Sequence, residues 1–128
     1  AVLRLQRRRL TLSSAGMPPV LVLHRSSRAV DEVLLPGVPL GTLPAATYQQ
    51  RDVELENGDV VVVMTDGLVE ALDGQGRMFG YERTAAELAK LAGRPAAEVV
   101  GAMLDAVNGH LGGATPPDDV TLVALVVR

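Results

Sequence analysis

The chain has no cysteine, no isoleucine and no tryptophan, and a single lysine, Lys90. Without thiols there can be neither a disulfide framework nor a thiolate metal site. That fits a reducing compartment, and the expected location is the cytoplasm. Aromatic residues make up 2% of a chain that is 48% hydrophobic, so a core must be packed from Val, Leu and Ala. Scarce lysine beside abundant Arg, Ala and Gly reads as GC-rich coding, not as a structural demand. No apolar run is long enough to span a bilayer, so no membrane insertion is expected, nor is a secretory leader. The net charge of −3 argues against nucleic acid as a partner. Missing too are the Gly-x-x-x-x-Gly-Lys phosphate loop and the Gly-x-Ser-x-Gly elbow. His24 and His110 stand far apart without partners at ligand spacing and read as surface or strand-end residues.

What is present fits one domain over residues 1–128, large enough to bury a modest core. The first residue is Ala1, which predicts a piece cut from something longer. Charge is unevenly placed: every charged residue before Asp31 is an arginine (Arg4, Arg7, Arg8, Arg9, Arg25, Arg28), and the remainder is acidic. Arg7-Arg8-Arg9 could hold a phosphorylated or acidic partner; the simpler reading is a solvated turn between strands.

Period-two alternation predicts strands over 1–5, 10–14, 20–24, 31–35 and 50–55, with Ser13 to Pro19 and Pro36-Gly37 as breaks. Asn57-Gly58 carries tight-turn chemistry and is expected to fold the 50–55 strand back onto 60–64. A short helical turn is expected over 68–72. Asp73-Gly74-Gln75-Gly76-Arg77 is a loop whose Gln75 and Arg77 exclude a calcium site. Helices follow at 81–92, ended by Gly93, and from Pro95 to Gly112, with Val99, Val100, Met103, Leu104, Val107 and Leu111 as an apolar stripe.

The chain is organised around Asn57-Gly58-Asp59-Val60-Val61-Val62-Val63-Met64-Thr65-Asp66-Gly67. Such an apolar, β-branched strand is stable only with both faces buried, and it ends abruptly in a carboxylate. Asp66 could merely cap the segment that starts at Leu68. A mirrored feature gives the second reading: Asp118-Asp119 immediately precede another apolar strand, 120–127, expected to be buried along its length. If the two strands lie antiparallel in one sheet, these acids converge, and oxygen-only clusters suit Mg²⁺ or Mn²⁺.

Leu55-Glu56-Asn57-Gly58-Asp59, Thr65-Asp66-Gly67-Leu68-Val69-Glu70-Ala71, Gly76-Arg77-Met78-Phe79-Gly80-Tyr81-Glu82-Arg83 and Asp118-Asp119-Val120-Thr121-Leu122-Val123 closely resemble the bacterial metal-dependent protein serine/threonine phosphatases. These are the protein phosphatase 2C class, in its SpoIIE-type branch. Ser14-Ala15-Gly16-Met17-Pro18-Pro19 resembles that branch's Ala-Gly-His-Pro-Pro element, and Gly37-Val38-Pro39-Leu40-Gly41 its Gly-x-Pro-Leu-Gly. The resemblance covers essentially the whole chain, with six motifs in order.

The resemblance implies an α+β fold: a four-layer α-β-β-α sandwich of two antiparallel sheets, incomplete here because the front part of the domain is missing. It makes Asp66 a metal ligand and catalytic residue together with Asp118. Asp119 becomes an additional or neighbouring ligand, and Thr65, Gly67 and Glu70 support them, with Glu70 expected to cap the short helix. The implied chemistry is hydrolysis of phosphoserine or phosphothreonine by a water held between two Mn²⁺ or Mg²⁺ ions. The implied substrate is a small phosphorylated regulatory protein, an anti-sigma-factor antagonist. Met17 stands where the branch has His, and the Gly-Asp and Asp-x-Ser-Gly-His-Gly elements of the front half do not occur. The 128 residues alone are therefore expected to be inactive, and exposed sheet edges make a homo-oligomer the expected consequence. The alternative from another class is a non-catalytic, phosphatase-like binding or regulatory module.

Overall fold

The computed structural model describes the whole chain, Ala1–Arg128. Strands β1 (Val2–Gln6), β2 (Arg9–Ser13) and β5 (Gln50–Glu54) form a three-stranded antiparallel sheet in the order β1-β2-β5. A four-stranded antiparallel sheet holds β4 (Val30–Val33), β3 (Val20–Leu23), β6 (Val60–Met64) and β7 (Leu122–Val126), in the order β4-β3-β6-β7. The helices are α1 (Asp66–Val69), α2 (Tyr81–Ala89) and α3 (Ala96–Leu111). No helix is long and apolar enough to cross a membrane.

Two cores follow from the alternation of side chains across the larger sheet. Val20, Val22, Val33 and Val61 meet Leu10, Leu12 and Leu55 between the sheets. Leu21, Leu23, Val60, Val62 and Met64 point the other way, onto Leu68, Leu88, Val99, Met103 and Val107 of the helices. The expected double burial of β6 is thus observed, and only Val63 is partly exposed. Three of the four expected layers are present. The outer face of the smaller sheet carries no helix but polar pairs, Arg9 Nε to Glu54 at 2.7 Å and Thr11 Oγ1 to Asp52 at 2.6 Å.

Several expectations need correction. Asn57-Gly58 does not close a hairpin: β5 pairs with β2, β6 pairs with β3 and β7, and the turn carries the chain from one sheet to the other. The polar outer face of β5 suits the sheet that is open on one side, and the fully apolar β6 suits the one covered on both. Nor is the last strand buried throughout. It runs from Leu122 to Val126 at the sheet edge, with Val123 49% and Leu125 41% exposed on the face turned toward the smaller sheet. Leu5 of edge strand β1 is also exposed, so an edge strand of each sheet presents apolar side chains to solvent. Helix α1 begins at Asp66, two residues before its expected start, and α2 ends at Ala89 with Thr84 and Leu88 as its buried positions. Pro95 is the N-cap of α3, and Gly112 ends it in the left-handed region at φ 59°.

The β1–β2 hairpin has a two-residue loop, Arg7-Arg8, between the paired residues Gln6 and Arg9. Both arginines have positive φ, 46° and 67°, as a type I′ turn requires. Side chains pay roughly 1–2 kcal/mol per residue for that region, which is why Asn-Gly is usual there. Arg28, at φ 59°, is the third and last non-glycine residue with this backbone.

The histidines also have partners, separated too far in sequence to be anticipated. His24 Nδ1 lies 3.3 Å from Asp59 and Nε2 3.0 Å from Asp31. Asp59 is 1% exposed, and its carboxylate also accepts the N–H groups of Arg25 and Glu56. The hydrogen bond to Asp31 chiefly raises the pKa of His24; partial burial opposes it, and Asp59 adds to the rise. A group whose folded pKa exceeds its unfolded value, about 6.5 for His, stabilises fully below that value and loses this contribution as pH rises through the folded pKa. Urea midpoints should therefore decline as pH is taken upward from about 6.5, and His24→Gln should flatten that slope. An unchanged slope in the variant would assign the pH dependence to another group.

Candidate functional site

Strands β6 and β7 are antiparallel, with Met64 opposite Leu122, so the exit of one and the entrance of the other share an end of the sheet. Thr65 joins them. Its N–H donates to Thr121 O at 3.0 Å, its hydroxyl donates to Asp119 O at 3.0 Å, and the same oxygen accepts Thr121 N–H at 2.9 Å. Gly67 follows, buried, and a Cβ built on it would lie 2.5 Å from Asp119 O and 3.2 Å from Asp118 O. Here the absence of a side chain lets the start of α1 close onto the backbone of Asp118-Asp119.

Asp66, Asp118 and Asp119 are all exposed. Asp66 does not cap α1: the N-cap is Thr65 without a side-chain bond, and Asp66 Oδ1 accepts the N–H of Gly67 at 3.0 Å. Glu70 sits at the other end of α1, where only its backbone N–H caps, bonding Asp66 O at 2.9 Å. Its carboxylate is exposed on the solvent side one helical turn from Asp66. None of the chain's ion pairs involves Asp66, Glu70, Asp118 or Asp119. Unpaired carboxylates are the donor chemistry of a hard divalent ion, and Thr65 and Gly67, on either side of Asp66, both meet the Asp118-Asp119 backbone. The residues fit such an ion as a partial donor set. Nowhere does the chain bring three or more His, Asp or Glu side chains into a metal-holding group.

Tyr81, at the start of α2, is a neighbour that sequence reasoning missed. Its hydroxyl pKa is raised, first by burial and then by the charges of Asp66, Glu32 and Glu70. The signal was in view, since Tyr81 belongs to a matched motif, but nothing in its spacing places it beside Asp66. Two other matched elements pack on each other. A Cβ on Gly16 would meet Pro39 at 3.0 Å, and one on Gly37 would meet Ser14 O at 2.7 Å. The register Leu21 to Val62 puts the residues preceding β3, including Met17, at the end where β6 leads into Asp66.

The loop after α1 closes on itself. Asp73 accepts the N–H groups of Gln75 and Arg77 and the Arg77 guanidinium, and these bonds, led by the Arg77 backbone N–H, lower its pKa to about 2. That carboxylate holds the loop closed. Behind it, His110 Nε2 donates to Arg77 O at 2.8 Å, and its Nδ1 faces Arg83 at 2.9 Å. Arg83 in turn stacks over Phe79 with 4.9 Å to the ring centroid. This network ties α2 and α3 to the segment that leaves the site.

The profile of the Stage II sporulation protein E (SpoIIE) family matches residues 1–128. Protein IcfG of Synechocystis sp. is 25% identical over 117 residues, which is 91% of this chain and 18% of that protein. Among solved structures, the SiaA-PP2C domain of Pseudomonas aeruginosa superposes with a TM-score of 0.77 at 23% identity, over 95% of this chain and 48% of that one. The phosphatase domain of SpoIIE from Bacillus subtilis, presoaked with Mn, superposes with a TM-score of 0.73 at 16% identity, over 99% and 54%. The chain thus spans about half the length of these solved domains.

Proposed function

The chain belongs to the SpoIIE family, and we propose that it forms the rear part of a cytoplasmic, metal-dependent protein serine/threonine phosphatase domain. The observation that supports this reading is that Thr65 and Gly67, the two neighbours of Asp66, both contact the Asp118-Asp119 backbone at one end of β6 and β7. Asp66 and Asp118 would supply ligands to one of two Mn²⁺ or Mg²⁺ ions, with Asp119 beside them. The bound ions would polarise the phosphate ester and activate water. The chain's own residues do the positioning. Thr65 fixes the spacing of the two strand ends, Gly67 admits the β7 backbone, and the exposed carboxylates leave one face open to a phosphorylated side chain. The proposed substrate is phosphoserine or phosphothreonine on a small regulatory protein, an anti-sigma-factor antagonist.

The test is phosphate release from a phosphorylated regulatory protein by the full-length protein, with Mn²⁺ added and then removed by EDTA. Release that EDTA abolishes is the expected result. Metal-independent release would reject the mechanism, and no release under any metal would favour the non-catalytic module. Residues 1–128 alone should neither turn over substrate nor bind two ions tightly, because Asp66, Asp118 and Asp119 supply only part of a two-ion donor set and Mg²⁺ gives up its water reluctantly. They should also self-associate through the edge strands β1 and β7, where Leu5, Val123 and Leu125 are exposed. Calorimetric titration with Mn²⁺ and sedimentation of that segment check both statements.

A further inference from the structure

Apart from those on the edge strands β1 and β7, the large apolar side chains left exposed are Leu34, Leu40, Leu43, Leu72, Met78 and Tyr81. All belong to segments that enclose the Asp66 end or to the loop that leaves α1. Leu34 and Tyr81 share one side of this end. Val33 and Leu35 enter the core between the sheets, whereas Val30 packs on the helix side. Alternation puts Glu32 and Leu34 on the helix side as well, where α2 packs across β3 and β4. The register Val20 to Val33 and Leu21 to Val62 brings Leu34 to the end of the sheet where β6 leads into Asp66. Tyr81 opens α2 there. The Gly80 N–H donates to Val69 O at 2.9 Å, which sets Tyr81 close to Glu70. Its hydroxyl pKa, raised first by burial, is raised further by Asp66, Glu32 and Glu70, so these three carboxylates are near it. Glu32 and Glu70 have no ion-pair partner.

We propose that Glu32, Leu34, Glu70 and Tyr81 form a recognition shelf for the residues that flank the phosphorylated side chain of the protein substrate. An apolar flanking residue packs against Leu34 and Tyr81, and a lysine or arginine meets the carboxylates. The proposal rests on the phosphatase reading and adds to it the local chemistry of the substrate. The part of the domain that this chain does not span belongs on the other side. Helices α2 and α3 already cover the helix side of the larger sheet, and β4 is the edge of that sheet away from β7. What lacks cover is the outer face of the smaller sheet and the faces of Val123 and Leu125 turned toward that sheet. Charge complementarity names the occupant. Two unpaired carboxylates favour a cation, and the aliphatic stem of a lysine or arginine lies well along an apolar surface while its charge stays wet. The same carboxylates repel a polynucleotide or an anionic membrane. Tyr81 suits the place, since its ring offers apolar area and its hydroxyl a polar tip.

The full-length protein with Mn²⁺ is assayed first on p-nitrophenyl phosphate, which has no flanking residues, so release from it tests the phosphatase reading alone. Phosphoserine peptides follow, flanked by leucine and arginine, by leucine and glutamate, or by serine and arginine. The leucine–arginine peptide should have the highest kcat/KM. Leu34→Ser and Tyr81→Ala should raise its KM by about fivefold or more, and more than they lower kcat. Glu32→Lys should shift the preference from the arginine peptide toward its glutamate counterpart, by about tenfold in the ratio of kcat/KM. A damaged fold cannot speed one substrate while slowing another, so this arm separates recognition from folding. Release from p-nitrophenyl phosphate with equal kcat/KM for all the peptides, or a preference that survives these substitutions, would overturn the shelf and leave the phosphatase reading standing. No release from any substrate would overturn both. A substitution that changes the sedimentation of the protein and not KM would make the surface a contact between copies, which also overturns the proposal.

Discussion

Asp66→Asn in the full-length protein should lower phosphate release by about a hundredfold or more while leaving folding intact. The amide has the volume of the carboxylate, and its oxygen can keep the one bond the Asp66 side chain makes, from Gly67 N–H at 3.0 Å. Asp66 is exposed and has no ion-pair partner, so the stability change should stay within about 0.5 kcal/mol. What disappears is an anionic donor for a hard cation, which a neutral amide replaces poorly. Asp118→Asn should act similarly and Asp119→Asn more mildly. If Asp66 and Asp118 serve one ion, the double variant should be no slower than Asp66→Asn alone. Steady-state rates across a Mn²⁺ titration, with circular dichroism to verify folding, decide the matter. Activity within a few-fold of the parent at saturating Mn²⁺ would remove Asp66 from the metal site.

The parts of this fold that could be read in the sequence are those where one residue's neighbours are local. The β6 strand was legible because five apolar residues bounded by Asp59 and Asp66 demand two covered faces. That Asp66 and Asp118-Asp119 share one end of a sheet was legible because the two apolar runs they bound suit neighbouring antiparallel strands, and β6 and β7 pair in that way. The limits are equally physical. β7 is apolar on both sides, so its composition could not reveal that Val123 and Leu125 lie at an open edge. Asn57-Gly58 offers the turn chemistry of a hairpin, and nothing local says that the strand after it joins another sheet. The partners of His24 lie 7 and 35 residues away, and a contact of that range is decided by register alone. Tyr81 reaches the neighbourhood of Asp66 only through the placement of α2.

Gly67→Ala should damage both the fold and the site, and two opposing terms set the size of its effect on stability. Gly67 lies in α1, where replacing glycine with alanine ordinarily stabilises by roughly 0.5–1 kcal/mol. Against this, the new Cβ would sit 2.5 Å from Asp119 O and 3.1 Å from Asp119 C. Both atoms are backbone and cannot rotate away. Overpacking of that kind costs about 3 kcal/mol when the neighbours cannot yield, so a net loss of about 2 kcal/mol is expected. The strain has one outlet, a displacement of the β7 entrance away from α1, which also moves Asp118 and Asp119 away from Asp66. Activity and Mn²⁺ affinity should therefore fall together, more than the stability loss alone would cause at a temperature where the variant is folded. Gly101→Ala supplies the control: Gly101 is inside α3, and a Cβ there meets nothing within 4 Å. That substitution should gain roughly 0.5–1 kcal/mol and leave activity unchanged. Denaturant unfolding and Mn²⁺ titration of both variants give the answer. A Gly67→Ala protein as stable and as active as the parent would mean that the contact with the Asp118-Asp119 backbone does not hold the site together.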